Sequence, residues 1–155
     1  SSSKEEKIIS GKARVVDGDT IKINKISIRL YGIDAPEKNQ ICTGLSGESY
    51  NCGLSSTRFL KTFVKNSTRV ECSYKNLDRY GRIIGKCISY TRVENSNELM
   101  PFELNYLMVV MGHAVEYKRY SRGEYSEAEK TAKKEKKGLW KGEFDRPEKW
   151  RRKYK

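Results

Sequence analysis

The order of patterns along the chain predicts a mixed α+β fold, mainly a small β barrel with about three helices. Three observations carry that expectation. Three short runs near the start alternate apolar and polar residues, the period of half-buried strands. A stretch with its apolar residues on one side of a helical wheel comes next, followed by two more strand-like runs. Further helical stretches complete the order, which suits a barrel of five strands with helices over one opening.

Residues 1–9 open with Ser1-Ser2-Ser3-Lys4-Glu5-Glu6-Lys7 and read as a flexible leader, which leaves residues 10–142 as one folded domain. Lys12 to Val16, Thr20 to Asn24 and Ile26 to Tyr31 are the alternating runs, with turns at Asp17-Gly18 and Asn24-Lys25. On the third run Ile26, Ile28 and Leu30 share one face, so Ser27, Arg29 and Tyr31 share the other; Pro36 ends the strand. Lys38 to Asn51 is polar and Gly-rich, an Ω-loop more than a helix. The first helix spans about Leu54 to Lys65, with Leu54, Phe59, Leu60, Phe63 and Val64 inward. Two strands, about Arg69 to Tyr74 and Arg82 to Tyr90, flank the turn Asp78-Arg79-Tyr80-Gly81. Pro101 suits the first turn of a second helix that carries Phe102, Leu104, Leu107, Met108 and Met111 inward and stops at Gly112. A short strand from His113 to Tyr117 leads to a third helix, about Glu124 to Lys137, with Gly138 as its C′ residue. Residues 143–155 form a basic extension that packs on the domain or trails from it.

A length of 155 residues fits one domain with its own core. The balance of 32 basic against 20 acidic residues gives +12, which favours a polyanionic partner. Much of the excess lies at Lys130, Lys133, Lys134, Lys136, Lys137, Lys149, Arg151, Arg152, Lys153 and Lys155, where a solvated helix face is the competing explanation. No run approaches the ~18 apolar residues of a membrane span, so no membrane partner is expected. Four cysteines allow three pairings. Zinc is disfavoured, because no pair has CxxC spacing and the only histidine, His113, is far off in sequence. Cys42 and Cys52 bracket the Gly-rich loop, and Cys72 and Cys87 mirror each other about Arg79-Tyr80; this favours two bridges over four buried thiols. Bridged, the protein belongs in a secreted or periplasmic compartment, with its signal sequence removed.

The chemistry concentrates in three blocks: Val15-Val16-Asp17-Gly18-Asp19-Thr20, Ile28-Arg29-Leu30-Tyr31-Gly32-Ile33-Asp34-Ala35-Pro36-Glu37 and Asp78-Arg79-Tyr80-Gly81-Arg82. They supply hard oxygen ligands for a cation, a carboxylate base and fixed positive charge, the needs of phosphodiester cleavage. Taken singly, each has a plainer explanation. The aspartates would cap turns, Glu37 would be an exposed loop residue, and Arg82 would pair with Asp78. In this order, the blocks resemble the staphylococcal nuclease family from about residue 10 to residue 142.

That resemblance implies a five-stranded OB-fold barrel and a calcium-dependent, sugar-nonspecific nuclease. The family cleaves DNA and RNA, single- or double-stranded, to 3′-phosphorylated products with weak sequence preference. It implies Asp19 and Asp34 as metal carboxylates with the backbone carbonyl of Ala35, where the family often carries threonine. Glu37 becomes the general base, and Arg29 and Arg82 the phosphate-contacting arginines. Arg79 and Tyr80 match the family's pair for a terminal phosphate and base, while Tyr117 and Tyr120 lie near its second tyrosine cluster. A monomer is expected. The rival is a non-catalytic nucleic-acid or protein-binding module of the Tudor-associated kind, which typically lacks this acid and arginine set. Glu116 and His113 have no role in the scheme.

Overall fold

The computed structural model describes residues 5–154. In chain order its strands and helices are β1 (Lys7–Gly11), β2 (Ala13–Asp17), β3 (Thr20–Ile23), β4 (Ile26–Leu30), β5 (Ile33–Asp34), β6 (Ile41–Thr43) and β7 (Ser49–Asn51), then α1 (Cys52–Lys65), β8 (Arg69–Leu77), β9 (Ile83–Arg92) and β10 (Leu99–Glu103). The remainder is α2 (Leu104–Val110), β11 (Val115–Glu116), α3 (Lys118–Ser121), α4 (Ser126–Lys134), a 3-10 turn over Gly138–Lys141, and α5 (Pro147–Tyr154).

The main sheet runs β1-β8-β9-β4-β3-β2, with β10 added on β9. All its pairings are antiparallel except β4 with β9. The two ends of that path, β1 and β2, are separated only by Lys12. One bent run from Lys7 to Asp17 therefore pairs with β8 through its first half and with β3 through its second, which brings the path back on itself. This is the mainly β, OB-type plan that the pattern predicts. Alternation fills its inside: Ile21, Ile23, Ile28, Leu30 and Val70 are fully buried, against Leu60 of α1 and Leu104 and Met108 of α2. Each such side chain contributes about 1.5–3 kcal/mol of transfer free energy.

Several elements differ from expectation for identifiable reasons. Lys7–Gly11 is a strand, not leader, because its backbone completes the ladder along β8; residues 1–4 lie outside the described residues. Helix α1 starts earlier than Leu54, because the side chain of Asn51 caps it by accepting from the Leu54 N–H at 2.9 Å. Leu54 itself faces outward, 39% exposed. Pro101 is not in a helix: it lies on β10, opposite Tyr90 of β9. β10 pairs only with β9, so an edge position tolerates the missing N–H. The helix then begins at Leu104. The expected third helix is α4, and an unexpected short helix, α3, precedes it; Arg122 (φ 54°) and Gly123 (φ 86°) turn the chain between the two. Five α-helices thus replace about three among the described residues.

The Ω-loop contains the hairpin β6–β7. Both expected bridges are present, Cys42–Cys52 with Cα atoms 5.7 Å apart and Cys72–Cys87 at 4.1 Å. Cys72 and Cys87 are direct cross-strand partners. The extension packs rather than trails. Thr43 and Glu143 exchange backbone hydrogen bonds of 2.8 and 3.0 Å, Pro147 and Trp150 are buried, and α5 lies against the body; Lys155 is outside the described residues.

Candidate active site

The first block turns from β2 into β3 at Asp17-Gly18-Asp19, and the second ends β4 and forms β5. Pairing of Thr20 with Arg29 sets these two blocks side by side, and the Leu30 N–H donates to the Asp19 carbonyl at 2.8 Å. The register thus carries Asp19, Arg29 and Asp34 to one place. Asp19 is 8% and Asp34 2% exposed. Arg29 Nη2 lies 3.4 Å from Asp19 Oδ2 and 3.5 Å from Asp34 Oδ1, while its Nη1 donates to the carbonyls of Leu30 (3.1 Å) and Ile33 (3.0 Å). Five donors on a planar fork allow this shared use. The Ala35 N–H donates to Asp19 Oδ2 at 2.8 Å, so the Asp34-Ala35 bend is tied to the Asp19 turn. Gly18 is required there, since a Cβ would come within 2.7 Å of the Ala35 Cβ.

Asp17 is an addition that sequence reading missed as a site residue. Burial, then the charge of Asp19, pushes its carboxyl up to about 6. The signal was visible in Asp17-Gly18-Asp19, where the turn is tight enough for the Asp19 N–H to donate to Asp17 Oδ1 at 3.2 Å. Burial also raises Asp34, with the hydrogen bond from Arg151 working against it and the Asp19 charge adding to it. Crowded, buried carboxylates on a rigid turn suit a hard divalent cation, because such a cation prefers oxygen donors and relieves their repulsion. Among the described residues no three His, Cys, Asp or Glu side chains group as a metal-holding set, so the protein's own carboxylates make only part of such a site.

Arg151 was assigned only to a basic tail by its sequence. It reaches into the site instead. Its Nη1 donates to Asp34 Oδ1 at 3.0 Å and Glu37 Oε2 at 3.3 Å, and its Nη2 to Asp34 Oδ2 at 2.8 Å. The Asp34 bond, and the nearby acidic charges, hold the guanidinium firmly protonated. A separation of 117 residues in sequence hides such a contact from local pattern.

Glu37 joins the group through Arg151 and is half-buried. Its N–H donates to Gln40 Oε1 at 3.1 Å, and its carbonyl accepts from the Gln40 N–H at 2.8 Å. Tyr117 adjoins the same arginine, with the Arg151 guanidinium 6.0 Å from its ring centre, and meets Tyr120 edge-on at 4.9 Å. Arg82 stands apart on the β8–β9 turn. Its Nε donates to Asp78 Oδ2 at 2.7 Å, and Asp78 Oδ1 also accepts from the backbone N–H groups of Tyr80 and Arg82. Arg79 and the 70%-exposed Tyr80 ring lie on that turn, 5.0 Å apart.

Two residues without a role in the sequence acquire structural ones. Glu116 is buried, accepts from Ser121 Oγ, the Tyr125 N–H (3.0 Å) and Ser126 Oγ (2.7 Å), and so caps the start of α4. His113 stacks on Phe59 at 4.1 Å, where burial pushes its pKa down to about 4.

A family model described as staphylococcal nuclease homologue matches residues 27–142. The chain is 34% identical over 135 residues to the succinoglycan biosynthesis protein ExoI of Rhizobium meliloti, covering 87% of this chain and 66% of that protein. It is 33% identical over 132 residues to an uncharacterized endonuclease of Escherichia coli, covering 82% and 73%. With a micrococcal nuclease of Shigella flexneri it shares 31% over 147 residues, covering 90% and 78%.

Proposed function

The chain belongs to the staphylococcal nuclease family of nuclease-type hydrolases, and we propose that it is a calcium-dependent, sugar-nonspecific nuclease acting on DNA and RNA to give 3′-phosphorylated products. The observation that carries this reading is the convergence of Asp19, Arg29 and Asp34 within 3.5 Å, with Glu37 joined to Asp34 through Arg151. Asp19, Asp34 and the Ala35 carbonyl would hold the calcium ion, with Asp17 nearby. Bound there, calcium supplies Lewis-acid polarisation of a phosphoryl oxygen.

Glu37 orients the attacking water and accepts its proton on a carboxylate oxygen. Arg29 pairs with the non-bridging oxygens as charge spreads over them, and Arg82 does the same after exchanging Asp78 for phosphate. Arg79, Tyr80, Tyr117 and Tyr120 hold the neighbouring nucleotides by charge and stacking. Phosphate contacts carry little sequence information, so preference is weak. The two bridges support a secreted or periplasmic site of action for a monomer.

Plasmid nicking with calcium, and its loss with EDTA, is the test. Nucleic-acid binding without cleavage under any divalent cation would replace this reading with the non-catalytic module.

A further inference from the structure

The carboxy-terminal segment touches Glu37 from two directions. Gln40, fully buried, accepts the Glu37 N–H with Oε1 and donates from Nε2 to the Asp145 carbonyl at 2.8 Å. Six residues on, Arg151 holds the Glu37 carboxylate and grips both oxygens of Asp34. The backbone of Glu37 and its side chain are therefore both tied to residues 145–151.

That segment is itself fixed at independent points. Glu143 bridges to Thr43, and Arg146 makes a two-point contact with Glu129 of α4 at 3.2 and 2.8 Å. Trp150, the neighbour of Arg151, is 9% exposed. The other cations of α5 are engaged on its own surface: Lys149 and Lys153 with Asp145, and Arg152 with Glu148. Arg151 alone of the helix's cations is turned into the acids, on a helix too well anchored to be there by chance of a loose tail.

We infer that Arg151 is a positioning residue of the nuclease site, the end of a clamp (Asp145, Gln40, Arg151) that fixes Glu37 over Asp34. The inference rests on the proposed function for the role of Glu37, but the clamp is a property of the fold alone. A carboxylate has about four acceptor positions, so Asp34 can keep Arg151 and still offer an oxygen to a cation. A lysine at 151 keeps the charge but loses the fork, and so holds one acid at a time.

The test uses the full chain with Arg151→Ala and Arg151→Lys, and with Arg152→Ala as a control on the exposed side of the same helix. The expected result for Arg151→Ala is a fall in kcat of about 10²-fold with little change in KM, because the base is misplaced and not the substrate. Guanidinium added to the assay restores part of it, and Arg151→Lys falls between. Amide hydrogen exchange over residues 37–41 rises about tenfold or more, while Arg152→Ala changes neither readout.

Unchanged kcat and unchanged exchange in Arg151→Ala overturn the inference. So does a calorimetric calcium titration that tightens together with a rise in kcat, which would make Arg151 a competitor of the cation. If Arg151→Ala does not fold, the Arg151→Lys exchange and rate measurements decide alone. A wild-type protein that cuts no nucleic acid sinks the nuclease reading. In that case exchange at residues 37–41 still tells whether the clamp exists.

Discussion

Glu37 is half-buried and held by its neighbours, so its removal should separate chemistry from folding. Glu37→Ser is expected to lower turnover by two or more orders of magnitude, about 3 kcal/mol, with an unchanged thermal midpoint; initial rates and melts measure both. Arg29→Ala should lose as much activity and some stability too, because it leaves the buried Asp34 and Asp19 with one fewer counter-charge. His113 supplies a pH dependence. Its folded pKa, about 4, lies below the ordinary 6.5, so the unfolded chain binds the extra proton first. Stability is full above 6.5 and declines as pH falls towards 4, by on the order of 3 kcal/mol. His113→Phe should flatten that part of a denaturation-against-pH series. The grouping of Asp19, Arg29, Asp34 and Glu37 was legible because each sits beside a turn signal within a short block. Asp17 reads as half of a turn, and only packing shows it half-buried beside Asp19.

At the scale of elements, the two bridges should differ in effect. Separations of 10 and 15 residues give chain-entropy contributions of roughly 3 kcal/mol each. Cys72–Cys87 ties β8 to β9 within the main core, whereas Cys42–Cys52 joins the hairpin to the first residue of α1. Serine pairs at 72/87 should therefore lower the melting point with activity following the fold. Serine pairs at 42/52 should loosen the Glu37 loop and lower kcat beyond what melting explains; parallel melts and rates distinguish the two. The start of α1 has a second demand. A Cβ on Gly53 would lie 1.8 Å from the Glu37 carbonyl, so Gly53→Ala is expected to displace Glu37 and cost activity comparable to Glu37→Ser. The strands from Ala13 to Leu30 were readable because alternation and turns agree there. Lys7–Gly11 was not, since its partner β8 lies some sixty residues away, and Pro101 misled because helix starts and sheet edges both accept proline.

For the whole molecule, a net charge of +12 predicts steep salt dependence. Binding of the Glu37→Ser protein to a short oligonucleotide should fall linearly in log K against log salt, with a slope of several units, by counterion release. Because Lys149 and Lys153 are already paired with Asp145, and Arg152 with Glu148, neutralising them together should change that slope by less than their number. A slope reduced by the full count would show that nucleic acid displaces those pairs. The mainly β class was legible as a sequence of periods, but the return of the sheet's path through one bent run was not. One strand bending to serve both ends of a sheet is a property of three-dimensional register, and no local pattern records it.

The distance in sequence between Asp34 and Arg151 also has a consequence in time. A ribosome adding about 5–20 residues per second releases the acids on the order of ten seconds before the arginine that grips them. In that interval the nascent chain has Asp19, Asp34 and Glu37 without the guanidinium fork that joins Asp34 to Glu37. The contact that joins Asp34 to Glu37 thus forms late in synthesis, and it reports that translation has passed residue 151.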